Sequence, residues 1–99
     1  MNDIQDHFPN CLRKYRRARG LTQQQVAKVL GLKSTGVISR WEKGVCLPDT
    51  MRLCHLAILY RTMTDALLID ILRALRSNIR KQEEAVLGDK VKSYNAEHD

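Results

Sequence analysis

Glycines that close runs of helical period divide this chain, and their spacing leaves room for little except short helices. Gly20, Gly31 and Gly44 end three segments in the first half, and Gly88 ends a fourth and much longer one. Glycine ends a helix readily because it enters the left-handed conformation without a Cβ clash. The first segment, Cys11 to Arg19, opens after Pro9 and Asn10 and places Leu12, Tyr15 and Ala18 on one face. In the second, Thr22 is an N-cap for Gln23–Leu30, and Gln25, three positions on, completes a capping box. The third runs from about Thr35 to Lys43, capped by Ser34 or Thr35, with Ile38 and Trp41 inward. Pro48-Asp49 opens a fourth helix, apolar on most sides and read as the central core helix. A fifth starts at Thr62 or Thr64 and continues unbroken from Asp65 to about Leu87, roughly 35 Å at 1.5 Å per residue. The polar stretch 89–99 has no period and reads as a disordered tail.

With 99 residues the chain has one core and no room for a second folded domain. Aromatics at 5% and two prolines disfavour a β-sandwich, so the expected class is all-α. No apolar run is long enough for a membrane span. The N-terminus, with Asp3 and Asp6, does not read as a secretory signal. Cys11, Cys46 and Cys54 are an odd, widely spaced set, which points to free thiols in a reducing cytoplasm. A zinc site from Cys46, Cys54 and His55 lacks a Cys-x-x-Cys pair and a fourth ligand, so neither a metal nor another cofactor is expected. His7, His55 and His98 are scattered, and no phosphate loop or nucleophile–base pairing is present; an enzyme is not expected. The net charge of +6 is uneven: residues 1–61 carry +7, residues 62–99 carry −1. A basic half joined to a near-neutral one suggests a polyanion partner for the first and a separate task for the second.

Two short helices joined by a tight glycine turn, the second displaying polar residues, describe a helix-turn-helix. Leu21-Thr22-Gln23, Val26-Ala27, Leu30-Gly31 and Ile38-Ser39-Arg40-Trp41-Glu42-Lys43-Gly44 closely resemble the phage Cro/repressor-type (XRE-like) family. Leu12-Arg13, Arg16 and Gly20 before them, and Leu47-Pro48-Asp49 and Leu53 after them, extend the resemblance over residues 8–70. It implies a five-helix, lambda-repressor-like DNA-binding domain, here with an extended last helix (64–88). Val26, Ala27, Leu30, Leu32, Ile38 and Trp41 then hold the two helices at their angle and do not read DNA.

The resemblance also implies where double-stranded DNA would lie. The N-terminal and outward positions of the third helix enter the major groove; here they are Thr35, Gly36, Ser39 and Arg40, with Lys43 nearer the backbone. Arg40 is the first choice for guanine, worth ~1–3 kcal/mol of discrimination, and phosphate contact is the alternative. Gly36 weakens the helix by ~1 kcal/mol relative to alanine; it either lets the backbone approach a base or is tolerated near the helix start. Gln23 falls in the family's phosphate-clamping position, and Arg13, Arg17 and Arg19 add flanking charge. Arg16 aligns with the family arginine that pairs with Glu42, a structural ion pair. One departure is visible: Leu32-Lys33-Ser34 makes the turn a residue longer than usual. That leaves open the register of the recognition helix and the DNA roles of Lys33, Ser34 and Thr35.

Two functions lead, with a fold kept only as a protein-binding scaffold as a third possibility. One is a transcriptional regulator, expected to repress as a homodimer on a palindromic operator. The other is an antitoxin that binds its operator and masks a toxin, or another regulatory protein, through the last helix. Leu68, Leu72, Leu75, Ile79, Gln82 and Val86 recur at steps of four and three, the seam of a coiled coil. Beyond about Ala74 no further sequence covers that stripe, so dimerisation is expected there, with a helix folded back on its own domain as the alternative.

Overall fold

The computed structural model of the protein describes residues 7–88, all of whose regular structure is helical. The helices are α1 (Leu12–Ala18), α2 (Gln23–Val29), α3 (Gly36–Lys43), α4 (Thr50–Tyr60), α5 (Thr64–Leu67) and α6 (Ile69–Leu87). The stretch 89–99, expected as a tail, lies outside the described residues. Leu12, Val26, Ala27, Ile38, Trp41, Leu56, Ala57, Tyr60 and Leu67 form one buried core drawn from the first five helices. Ala27, on α2, is buried at 4% exposure; a longer side chain there would overpack the core.

The helix ends follow from local chemistry. Thr22 Oγ1 accepts the Gln25 N–H at 3.1 Å while Gln25 Oε1 accepts the Thr22 N–H at 2.9 Å, a complete capping box. Asp49 accepts the Arg52 N–H at 2.8 Å and caps α4. At α1 the cap is supplied from outside the helix: Asn10 Oδ1 accepts the Leu12 N–H, and Asn10 Nδ2 donates to the Phe8 and Trp41 carbonyls, each at 3.0 Å. Residues 8–11 thus form a strap across the domain, completed by the Phe8 N–H on the Gly44 carbonyl at 2.7 Å. Gly44, which ends α3 at φ +78°, could not be another residue, because a Cβ there would lie 2.3 Å from the Phe8 carbonyl oxygen.

Two features differ from the sequence reading. The last helix is broken at Leu68 (φ −113°, ψ 18°) into α5 and α6, so there are six helices among the described residues where five were expected. The break coincides with a tertiary bond, in which the Leu67 carbonyl accepts the Cys11 N–H at 2.9 Å. Helix α4 is also not covered on all sides: Met51 and Ile58 are 67% and 76% exposed, because no other element packs on that face.

Helix α6 does not fold back. Ile71 is buried, but Leu75, Ile79 and Val86 are exposed, so cover from the domain runs out near Ala74. Leu68 packs against the core, and the uncovered apolar stripe therefore begins at Leu72.

Gly44→Ala should cost more than ~2 kcal/mol, since left-handed strain alone accounts for 1–2 and the Phe8 clash adds to it. Trp41→Ala should cost ~3–5 kcal/mol, whereas Arg40→Ala, on an exposed side chain, should shift stability by no more than ~0.5 kcal/mol. Thermal and urea denaturation of the three variants check this ordering.

Candidate nucleic-acid interface

Helix α3 has two chemically distinct sides. At 3.6 residues per turn, Val37, Ile38, Trp41 and Glu42 fall on the side turned into the domain, and Ile38 and Trp41 are buried there. Gly36, Ser39, Arg40 and Lys43 share the opposite arc, with Arg40 and Lys43 exposed. The longer turn settles into a defined register. Thr35 is the N-cap residue and α3 begins at Gly36, so Lys33 and Ser34 are turn residues, both exposed, and not part of the helix. The Gly36 N–H points at Ser34 Oγ, 3.4 Å away. Thr35 itself makes no side-chain cap bond.

Gly36 lies under Arg40. Side chains on a helix lean toward its N-terminus, and a Cβ added at Gly36 would meet Arg40 Nη1 at 3.5 Å and Ser34 Oγ at 3.6 Å, ordinary contact distances. Nothing within the domain therefore requires glycine at this position, and its φ is not left-handed. The bare backbone it leaves faces outward beside the guanidinium.

The inner side of α3 is fixed by a polar hub. Glu42 keeps only 1% of its side chain exposed, and Arg16, at 10%, meets it with Nε–Oε2 2.5 Å and Nη2–Oε1 3.1 Å, a two-bond pairing of guanidinium and carboxylate. Arg16 Nη1 donates to the Leu21 carbonyl at 2.8 Å. Gln23 Nε2 donates to Glu42 Oε1 at 3.0 Å, and Arg13 Nε reaches the same oxygen at 3.4 Å. Burial disfavours the charged form of Glu42. The bonds from Arg16, Gln23 and Arg13, with the Arg16 charge, outweigh it and hold the carboxyl below its ordinary value. Nearby Tyr60 is pushed up, first by burial and then by the Glu42 charge.

Of the ten residues expected at DNA, Lys33, Ser34, Thr35, Gly36, Ser39, Arg40 and Lys43 belong to one continuous stretch comprising the turn and α3. Gln23 opens α2 and is joined to α3 through Glu42, with its Oε1 left for another donor. Arg13 is 47% exposed but tied to Glu42, and Arg17 is exposed on α1. Arg19 proves structural, since its Nε donates to the Leu59 carbonyl at 3.0 Å and pins α1 to α4. Sequence reasoning missed that anchor and a second one, Arg52 Nη1 on the Leu30 carbonyl at 2.8 Å; backbone acceptors carry no residue signature. Cys11 Sγ points at Asp70 Oδ2, 3.6 Å away, and burial together with that carboxylate raises the thiol pKa. Among the described residues no group of three or more His, Cys, Asp or Glu stands close enough to hold a metal, and no helix is long and apolar enough to cross a membrane.

A capped helix, a glycine turn and a second helix with one buried and one polar side define a DNA-binding helix-turn-helix unit. The sequence model of the helix-turn-helix family matches residues 12–62, a span that takes in α1 to α4. The chain belongs to that family, of the Cro/repressor type, and is a DNA-binding transcription regulator. No curated protein and no solved structure matches it.

Because the Glu42 pKa is lowered in the folded state, its stabilisation is complete above the ordinary value of 4.5 and is lost as pH falls through the folded value. The wild type should therefore weaken below pH 4.5 in acid titrations followed by circular dichroism, and Glu42→Gln should flatten that slope. At neutral pH, Glu42→Ala should cost ~3–5 kcal/mol because it strands a buried guanidinium. Combining it with Arg16→Ala should cost clearly less than the sum of the single changes.

Proposed function

We propose that the protein represses transcription as a homodimer on a palindromic operator, in the cytoplasm. The observation that carries this reading is the two-sided α3: Ser39, Arg40 and Lys43 face outward beside the open backbone of Gly36, while Glu42 and Trp41 lock the other side. A positioned guanidinium discriminates guanine through O6 and N7. Lys33, Ser34 and Thr35 line the approach to the groove, and Gln23, Lys43, Arg13 and Arg17 contact phosphates on either flank. The +7 of residues 1–61 supplies the non-specific attraction. The DNA-binding domain spans 8–70, and the helical extension 64–88 pairs two copies. The uncovered residues of its stripe, Leu72, Leu75, Ile79 and Val86, support the pairing, with Gln82 setting register and Leu68 anchoring the stripe to the core. Two recognition helices about 34 Å apart then read successive major-groove turns.

The same exposed stripe supports a second reading, an antitoxin that covers a toxin with α6. An adjacent toxin-like reading frame, or a small protein co-purifying in fixed ratio, distinguishes it.

Operator affinity should fall steeply with salt, each phosphate contact adding ~0.9 to the log–log slope on B-DNA; a flat dependence removes the DNA-binding surface proposed here. Arg40→Ala should cost ~1–3 kcal/mol at the guanine it reads and flatten preference there, checked by selection from a random duplex library. Gly36→Ala should stabilise the fold by up to ~1 kcal/mol and still lower operator affinity, measured by anisotropy. If affinity is unchanged, Gly36 does not serve close approach.

A further inference from the structure

The open face of α4 continues across α2 as a groove of about 320 Å³, lined by Val29, Leu30, Arg52, His55, Ile58 and Leu59. Val29 and Ile58 are 64% and 76% exposed, unusual for aliphatic side chains that neighbour one another. The volume is at the lower end of the ~300–1,000 Å³ of ligand clefts and suits inserted aliphatic side chains. Its surroundings are cationic. Neither α2 nor α4 contains a carboxylate, and Asp49, which caps α4, is bonded to the Arg52 amide. Arg52 and Arg19 are each pinned by one carbonyl, Leu30 and Leu59 respectively, which orients their remaining N–H groups without using them up. The groove therefore fits an apolar segment that carries carboxylate.

This chain contains such a segment. Glu83-Glu84 is the sequence's only adjacent pair of acids, and it lies in the last turns of α6 next to Val86 and Leu87, which are 78% and 47% exposed. Glu83, Val86 and Leu87 occur at i, i+3 and i+4 and so share one face, the spacing with which a helix enters a groove. Of the basic residues of α6, Arg73 and Arg76 lie more than a turn earlier, while Arg80 and Lys81 immediately precede the inserted end, whose own residues Glu83 to Leu87 carry two carboxylates and no base.

We infer that the α2/α4 groove receives the last turn of α6, Glu83 to Leu87, from a second copy of the chain. The inference rests on the homodimer reading and specifies its geometry. If two α6 helices pair antiparallel about Ile79, the second copy's Val86 comes level with Leu72, at the base of α6. Along the chain, residues 61–68 join that base to α4, whose last turns line the groove. Each copy then gives one helix end and receives one, which closes a two-fold assembly with both contacts made twice. No residue of α3 lines the groove, so the recognition surface stays open.

The test is sedimentation equilibrium on full-length wild type, Ile58→Asp, Val86→Asp and an equimolar mixture of the two variants, with folding checked by circular dichroism. Both substituted residues are exposed, so the domain itself tolerates the changes. Each variant alone should raise the dimer Kd about tenfold or more, equivalent to ~1.4 kcal/mol. The mixture should recover dimer, because the intact end of Ile58→Asp fits the intact groove of Val86→Asp. An unchanged Kd for Ile58→Asp, with wild type dimeric, overturns the groove assignment and leaves the dimer standing. Loss of dimer in both variants without recovery on mixing shows that the groove meets something other than the α6 end, and also overturns it. A wild type that is monomeric at tens of micromolar overturns the homodimer reading itself.

Discussion

A single carboxylate, that of Glu42, connects every element needed to hold the recognition helix. It takes two bonds from Arg16 on α1, one from Gln23 at the start of α2, and a longer one from Arg13, while its own backbone belongs to α3. Arg16 also ties the loop before α2 through the Leu21 carbonyl. A buried ion pair is weak evidence of net stability, since desolvation can consume what attraction gives. What it supplies here is angle. Apolar packing in the core that holds Val26 and Ile38 tolerates sliding, whereas a two-bond guanidinium–carboxylate pair permits one orientation. The hub is also continuous with the outer surface, because Gln23 and Arg13 touch Glu42 on one side and reach solvent on the other. A phosphate bound at either residue would act on α3 through Glu42.

Much of this architecture was legible locally. The Thr22–Gln25 capping box and the Asp49 cap were readable because cap chemistry is completed within three residues. The inward placement of Ile38 and Trp41 followed from helical period, and Arg16–Glu42 came from family resemblance across 26 positions. What could not be read were contacts whose acceptor is backbone. Asn10 on the Trp41 carbonyl, Arg19 on Leu59 and Arg52 on Leu30 tie distant elements together, yet any residue offers a carbonyl. The break at Leu68 was hidden for the same reason, since it accompanies the Cys11 N–H on Leu67 and no local residue announces it. The openness of α4 was misjudged differently. An apolar run shows which surfaces seek cover but not how many neighbours the chain can supply.

That shortage of neighbours shapes the second half of the molecule. The core closes with Leu67 and Ile71, and nearly all the helical chain that remains is exposed. An isolated helix of this length is marginal in water, because its first turn fixes several residues for one bond. Here the first turn of α6 is set by the domain, through buried Ile71 and half-buried Leu68, so the rest propagates from a nucleus already formed. A stripe presented on a preformed rod loses little further conformational freedom when it pairs, which lowers the cost of association.

Charge distribution points the same way. Two copies placed side by side bring together halves that each carry +7, and such halves repel until DNA neutralises them. The extension 64–88, with four acids and four bases, has no net charge to repel a second copy. A rod of 19 residues, about 28 Å at 1.5 Å per residue, would hold the basic halves of such a pair several Debye lengths apart at physiological salt. A DNA-binding regulator with so basic a half depends on the polyanion to complete its electrostatics, which makes salt concentration a variable to which its occupancy responds strongly.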